Sequence, residues 1–280
     1  MITAAIISLG CNKNLVDSEI MAGTLEKGGI KIIENPENAD VIIVNTCGFI
    51  EDAKTEAVDT IFRMAEYKKD KCRALIVTGC LTQRYPEAIA DIPEVDGVLG
   101  TYGYDKIVET VSAALAGERP KDVSGTADYL DGMHEREVST KYYAYLKIAE
   151  GCDNRCAYCA IPSIRGRYTS RSMESLLKEA AMLKQKGIKE IILTAQDTTR
   201  YGQDKGKNRF AELLEKIALL GFDWVRFMYA YPSTLGEEAI EVAEKYDNIC
   251  KYVDMPVQHT EDTLLKRMNR HYDKAEMTRV

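Results

Sequence analysis

Residues 41–47 read Val-Ile-Ile-Val-Asn-Thr-Cys. The apolar run is continuous and mostly β-branched, as expected of a strand buried on both faces in a parallel sheet. The same alternation of buried strand, turn and helix extends outward from it. Upstream, residues 3–9 are apolar and β-rich, and residues 15–25 have helical spacing with Asn14 as the expected N-cap. Downstream, residues 51–67 read as a helix, 74–78 as another buried strand and 85–90 as a short helix. Residues 98–99 read as a last strand and 105–115 as a closing helix. Residues 1–116 are therefore expected to form a doubly wound parallel α/β domain.

Residues 117–141 break the pattern. They carry Pro120, Gly125, Gly132 and many charges with little apolar periodicity, and predict an interdomain linker holding a short hairpin. A second alternating series follows. Strands are expected at 144–149, 188–194, 224–228 and 250–253. Helices are expected at 172–186, with Ser172 at its start, and at 209–220, 236–245 and 261–268. Residues 142–280 are expected to form part of a β/α barrel that the chain leaves incomplete at its C-terminus.

Composition narrows the function classes. Hydrophobic residues are 45% and charged residues 29%, ordinary values for a globular protein. No apolar run approaches the ~20 residues of a membrane helix, and the N-terminus lacks the charged start of a signal peptide. A cytoplasmic location away from membranes is expected. The net charge of −7 gives none of the positive excess that phosphate binding exploits.

Eight cysteines need an explanation in such a chain, because the cytosol keeps thiols reduced. Cys152, Cys156 and Cys159 lie in AEGCDNRCAYCAIP, with Cys-x3-Cys-x2-Cys spacing. Iron–sulfur clusters are held by cysteine thiolates, commonly four to a four-iron cube. Three thiolates would leave one iron for a small molecule. Structural zinc wants four ligands, and the nearest downstream histidine is His259. A thioredoxin-type pair would leave Cys152 unexplained. Cys11, Cys47 and Cys80 each follow an expected strand, at the sheet edge where open α/β folds bind ligands. One such cysteine would read as a small hydrophobe; three at equivalent positions point to a second cluster. Cys72 and Cys250 have no evident partner and read as structural.

Cys-x3-Cys-x-aromatic-Cys resembles the signature of the radical S-adenosylmethionine superfamily. The resemblance implies that the cluster on Cys152, Cys156 and Cys159 binds S-adenosylmethionine and cleaves it to a 5′-deoxyadenosyl radical. It implies Tyr158 beside the adenine and Gln196 and Asp197 at the cofactor amine, with Arg165, Arg171 and His259 as further cofactor or substrate contacts. No side chain stands out as a general base, which suits hydrogen-atom abstraction.

Two cysteine triads, one per domain, resemble the methylthiotransferases over essentially the whole chain. That family implies two 4Fe-4S clusters, the auxiliary one on Cys11, Cys47 and Cys80, and an external electron donor of flavodoxin or ferredoxin type. The stretches SLGC at 8–11, KNLVDSE at 13–19, AYLKIAEG at 144–151, AIPSIRG at 160–166 and AQDTTRYG at 195–202 resemble the branch that modifies an aspartate of small-subunit ribosomal protein twelve. Asn12 departs from the proline expected in that branch. The tRNA branch typically has Gln-Met in place of Asn12-Lys13 and Gly-Gln-Asn in place of Ala195-Gln196-Asp197. The implied activity is methylthiolation of the aspartate β-carbon. The alternatives are methylthiolation of tRNA adenosine and an inactive iron–sulfur fragment. The C-terminal TRAM domain implied by the family has no counterpart before Val280.

Overall fold

In the computed structural model, which describes residues 1–131 and 136–279, neighbouring residues of the strand Val41–Thr46 serve two different cores. Ile42 and Val44 pack with Ala57, Ile61 and Leu75, whereas Val41 and Ile43 pack with Met21, Leu25 and Val111. A strand whose alternate side chains both enter apolar layers must have helices on both faces.

The chain divides into two units, Met1–Ser139 and Thr140–Val280. The first contains β1 (Thr3–Ser8), α1 (Asn12–Lys27), β2 (Lys31–Ile32), β3 (Val41–Thr46), α2 (Glu51–Ala65), β4 (Ala74–Gly79), α3 (Cys80–Arg84), α4 (Pro86–Ala90), β5 (Gly97–Leu99), α5 (Ile107–Leu115) and β6 (Lys121–Asp122). These strands form a six-stranded sheet in the order β2-β1-β3-β4-β5-β6, and every pairing is parallel. The strand order reverses between β1 and β3. In an open α/β sheet the carboxyl ends of the strands at such a reversal form the ligand crevice.

Three expectations need correction here. Asn14 is not an N-cap: helix α1 starts at Asn12, Cys11 takes the cap position, and Asn14 is fully buried. β5 is not the last strand. Residues 117–141 are not a free linker with a hairpin, because β6 pairs in parallel with β5. Beyond it, Arg136 forms a buried ion pair with Glu19 at 3.0 Å, and Glu19 also accepts from Ser139 N at 2.8 Å. Low apolar periodicity concealed this segment, since it is fastened by charge. Gly132, which contributed to the linker expectation, lies outside the described residues.

Lys106 and Asp122 form an ion pair that ties β6 to the segment before α5. Hydrogen bonds from Lys106 and Ser124 bring the Asp122 carboxyl down to about 2 against the opposing effect of burial. A lowered carboxylate pKa stabilises the fold above the unfolded value near 4, and this contribution disappears as pH falls toward 2. Asp122→Asn should therefore melt below the parent at pH 6, and the gap should close between pH 5 and pH 2. Thermal melts across that range check it.

The second unit contains β7 (Tyr143–Lys147), β8 (Ala149–Glu150), α6 (Ile161–Arg165), β9 (Thr169–Ser170), α7 (Met173–Gln185), β10 (Glu190–Thr194), α8 (Phe210–Ala218), β11 (Trp224–Phe227), α9 (Glu237–Lys245), α10 (Asp262–Arg267) and α11 (Lys274–Arg279). β7, β10 and β11 form a parallel sheet in sequential order, as in the opening of a β/α barrel. Ser172 caps α7 by accepting from Ser175 N at 3.2 Å. The strand expected at 250–253 is absent: one parallel bridge joins Ile249 to Val225, and Tyr252 and Val253 are exposed. The short antiparallel pair β8–β9 was not expected. Two residues per strand are too few to show a period.

Candidate functional site

Cys11, Cys47 and Cys80 follow β1, β3 and β4, at the reversal of strand order and beside it. Asn14 ties these ends together. Its Nδ2 donates to Leu9 O at 3.0 Å and Thr46 O at 2.9 Å, and its Oδ1 lies 3.7 Å from Cys80 Sγ. Gly10 has φ +90°, and a Cβ there would lie 2.8 Å from Cys47 Cβ. Only glycine permits so close an approach of the Cys11 loop to Cys47. Cys11 is exposed, Cys47 partly exposed and Cys80 buried. The sequence signalled the cysteines and missed the role of Asn14. Asn14→Ala would leave the Leu9 and Thr46 carbonyls without this donor, and should cost about 2–3 kcal/mol in urea unfolding.

In the second unit β8 leads into the other cysteine loop through Gly151. Its φ is +75°, and a Cβ there would lie 2.1 Å from Arg167 O. The loop then carries Cys152, Cys156 and Cys159, all partly exposed and unpaired. Burial pushes the Cys152 thiol up to about 11; the nearby Asp197, Cys159 and Cys156 add to this, and a backbone contact at Asn154 opposes it. Burial likewise raises Cys159, where Ile161 N donates to Sγ at 3.5 Å. Three mutually interacting, partly desolvated thiols are a donor set suited to iron–sulfur. Among the described residues no group of three or more Cys, His, Asp or Glu side chains is gathered for a single metal ion. A cube differs from a single ion in placing its thiolates at separate corners.

The loop is held from beneath by buried charge. Glu150 is fully buried and accepts from Lys147 Nζ and Arg165 Nη1, each at 2.9 Å, and from Gln196 Nε2 at 2.6 Å. Burial acts to raise its carboxyl, but Arg165 and Lys147 outweigh it and bring the group down to about 2. Asp197, also fully buried, accepts from Asn154 Nδ2 at 2.9 Å, inside the cysteine loop, and from Thr234 Oγ1 at 3.2 Å. Burial raises its carboxyl, and Asn154 and Arg200 oppose.

The expected contacts therefore separate. Gln196 stays beside the loop, with a buried Oε1 that has no hydrogen-bond partner. Tyr158 is exposed on the loop, and its hydroxyl interacts with Cys156. Asp197 anchors the loop through Asn154. Arg165 is ion-paired to Glu150. Arg171 is buried against Glu179 at 2.6 Å and donates to Lys147 O and Ser175 Oγ, which ties the start of α7 to β7. His259 is exposed, and its Nδ1 accepts from Glu261 N at 2.9 Å, before α10. Long-range burial decided these roles. No local pattern marked Glu150, Asn154 or Arg270, whose Nη1 donates to Cys156 Sγ at 3.3 Å.

Comparisons with known proteins agree with this architecture. Residues 3–100 match the Uncharacterized protein family UPF0004, and residues 146–280 match the Radical SAM superfamily. Two solved radical S-adenosylmethionine enzymes share the fold. OxsB superposes with a TM-score of 0.67 at 14% identity over 99% of this chain and 46% of its own. TsrM from Kitasatospora setae gives 0.66 at 13% identity over 99% of this chain and 64% of its own. Residues 146–280 are thus matched to the radical S-adenosylmethionine class by their family model, and the solved enzymes show the same fold. Among curated proteins, "Ribosomal protein uS12 methylthiotransferase RimO" of Clostridioides difficile (strain 630) is 49% identical over 99% of this chain and 64% of its own length. The protein of the same name from Lachnoclostridium phytofermentans is 50% identical over 97% of this chain and 63% of its own. The chain is thus similar over nearly its whole length to the RimO-type methylthiotransferases, and spans just under two thirds of these relatives' length.

Proposed function

We propose that this chain carries the two cluster-binding parts of an enzyme that methylthiolates the β-carbon of an aspartate in ribosomal protein uS12. The identity of about half over nearly the whole chain to proteins named as methylthiotransferases of ribosomal protein uS12 carries the reading, and the aspartate β-carbon is the finer part of the proposal. Cys152, Cys156 and Cys159 hold a 4Fe-4S cluster, and Cys11, Cys47 and Cys80 hold a second. When bound, the first cluster supplies the electron that cleaves the sulfonium of S-adenosylmethionine.

The chain's own residues position and shield. Glu150 holds Gln196 by its amide nitrogen, so Oε1 is left to accept from the cofactor's ammonium group. Asp197 fixes Asn154 and with it the turn between Cys152 and Cys156. Tyr158, exposed next to Cys159, offers its ring to the adenine. Arg165 supports this arrangement through Glu150. The external donor is a flavodoxin- or ferredoxin-type protein, and the location is cytoplasmic. Among the described residues no helix is long and apolar enough to cross a membrane.

The test offers an anaerobically reconstituted chain both a uS12 peptide and a tRNA hairpin, with dithionite and S-adenosylmethionine. Methylthioaspartate in the peptide supports the proposal. Methylthioadenosine in the RNA alone would transfer it to the tRNA branch. A fully loaded chain that forms no 5′-deoxyadenosine would mark it as an iron–sulfur module without turnover.

A further inference from the structure

The turn after α10 braces the cysteine loop. Ala157 N donates to Met268 O at 2.9 Å, Asn269 Nδ2 donates to Arg155 O at 2.8 Å, and His271 Nε2 bonds Asn154 O at 2.9 Å. Both sides of this contact contain non-glycine residues in the left-handed region, Arg155 at φ 49° and Asn269 at φ 56°. Such conformations persist where surrounding contacts enforce them. Between Asn269 and His271 stands Arg270. Its guanidinium lies 4.3 Å from the Tyr231 ring centroid and 4.9 Å from that of Tyr272. It donates to Pro256 O at 2.8 Å and Tyr272 OH at 2.9 Å, and its Nη1 reaches Cys156 Sγ at 3.3 Å. Two aromatic faces, a carbonyl and a hydroxyl thus hold one permanent cation against one thiol of the triad.

We infer that Arg270 is a positioning residue that fixes Cys156 and makes the cluster on Cys152, Cys156 and Cys159 easier to reduce. This rests on the proposed cluster assignment. Reduction adds one electron, taken from the external donor, to a thiolate-ligated cluster that is already electron-rich. A fixed positive charge hydrogen-bonded to a ligand sulfur favours the more negative redox state, and hydrogen bonds to sulfur are among the determinants of cluster potential. Structural bracing alone would affect loading and leave the potential unchanged.

The test is potentiometric electron paramagnetic resonance on the full chain, following the reduced-cluster signal that changes on adding S-adenosylmethionine. Arg270→Gln should lower the reduced-to-oxidised ratio at a fixed dithionite poise about tenfold, equivalent to ~59 mV for one electron. Arg270→Lys keeps the charge and should stay within about threefold of the parent. An unchanged midpoint in R270Q overturns the inference while leaving the cluster assignment intact. Loss of the cluster in R270Q overturns it in favour of a purely structural brace, and an equal shift in R270K overturns it by showing that the charge does not set the potential. A parent chain without any signal responsive to S-adenosylmethionine overturns both the inference and the assignment beneath it.

Discussion

Replacing Cys156 with alanine should leave roughly four of roughly eight irons, at four per cubane cluster, and abolish cleavage of S-adenosylmethionine. Cys156 stands between the other two thiols in a loop whose turn is fixed through Asn154. Its loss leaves two thiolates that cannot hold a cube open at one corner. The Cys11, Cys47 and Cys80 set belongs to a different unit with its own sheet and core, so the cluster proposed there should survive. Iron and acid-labile sulfide counting, together with 5′-deoxyadenosine assay, measures both halves. Loss of all iron would contradict two independently assembled sites. A Cys47→Ala chain should show the complementary pattern, with S-adenosylmethionine cleavage retained.

Replacing Glu150 with glutamine should destabilise the second unit by about 3–5 kcal/mol at neutral pH, the usual cost of removing one partner from a buried ionic group. Glutamine keeps the volume, so the effect is electrostatic. Lys147 and Arg165 both lose the carboxylate oxygen they share. Gln196 loses the acceptor that fixes its amide. Urea unfolding followed by circular dichroism should show the shift, and a change under 1 kcal/mol would contradict this account of the site's foundation. The same variant should bind S-adenosylmethionine more weakly even in molecules that remain folded, because Gln196 is then free to turn.

The strand and helix pattern was legible because each element repeats its own period. VIIVNT and ALIVTG, at 41–46 and 74–79, each open with four consecutive apolar residues, and both became strands buried along their whole length. Residues 250–253 misled for the opposite reason. Their composition suits a strand, but pairing requires a neighbour along the whole edge, and only Ile249 finds one. Asn14 also misled, because an asparagine near a helix start satisfies the capping pattern locally. Its side chain instead faces carbonyls from two strand ends.

Cysteine spacing by itself singled out the two sets of thiols proposed here to hold clusters, since thiolate chemistry and the position after a strand are both written locally. The alternation of buried strands and helices likewise determined the α/β class. Only the tertiary structure decided which polar groups stand near those thiols. Glu150, Asp197, Arg171 and Arg270 are similar to the eye as isolated charges, yet they separate into a foundation, an anchor, a helix brace and a partner for Cys156. The physical reason is that a charge acts through its neighbours and its distance from water, and folding brings those neighbours from as far as 114 residues away.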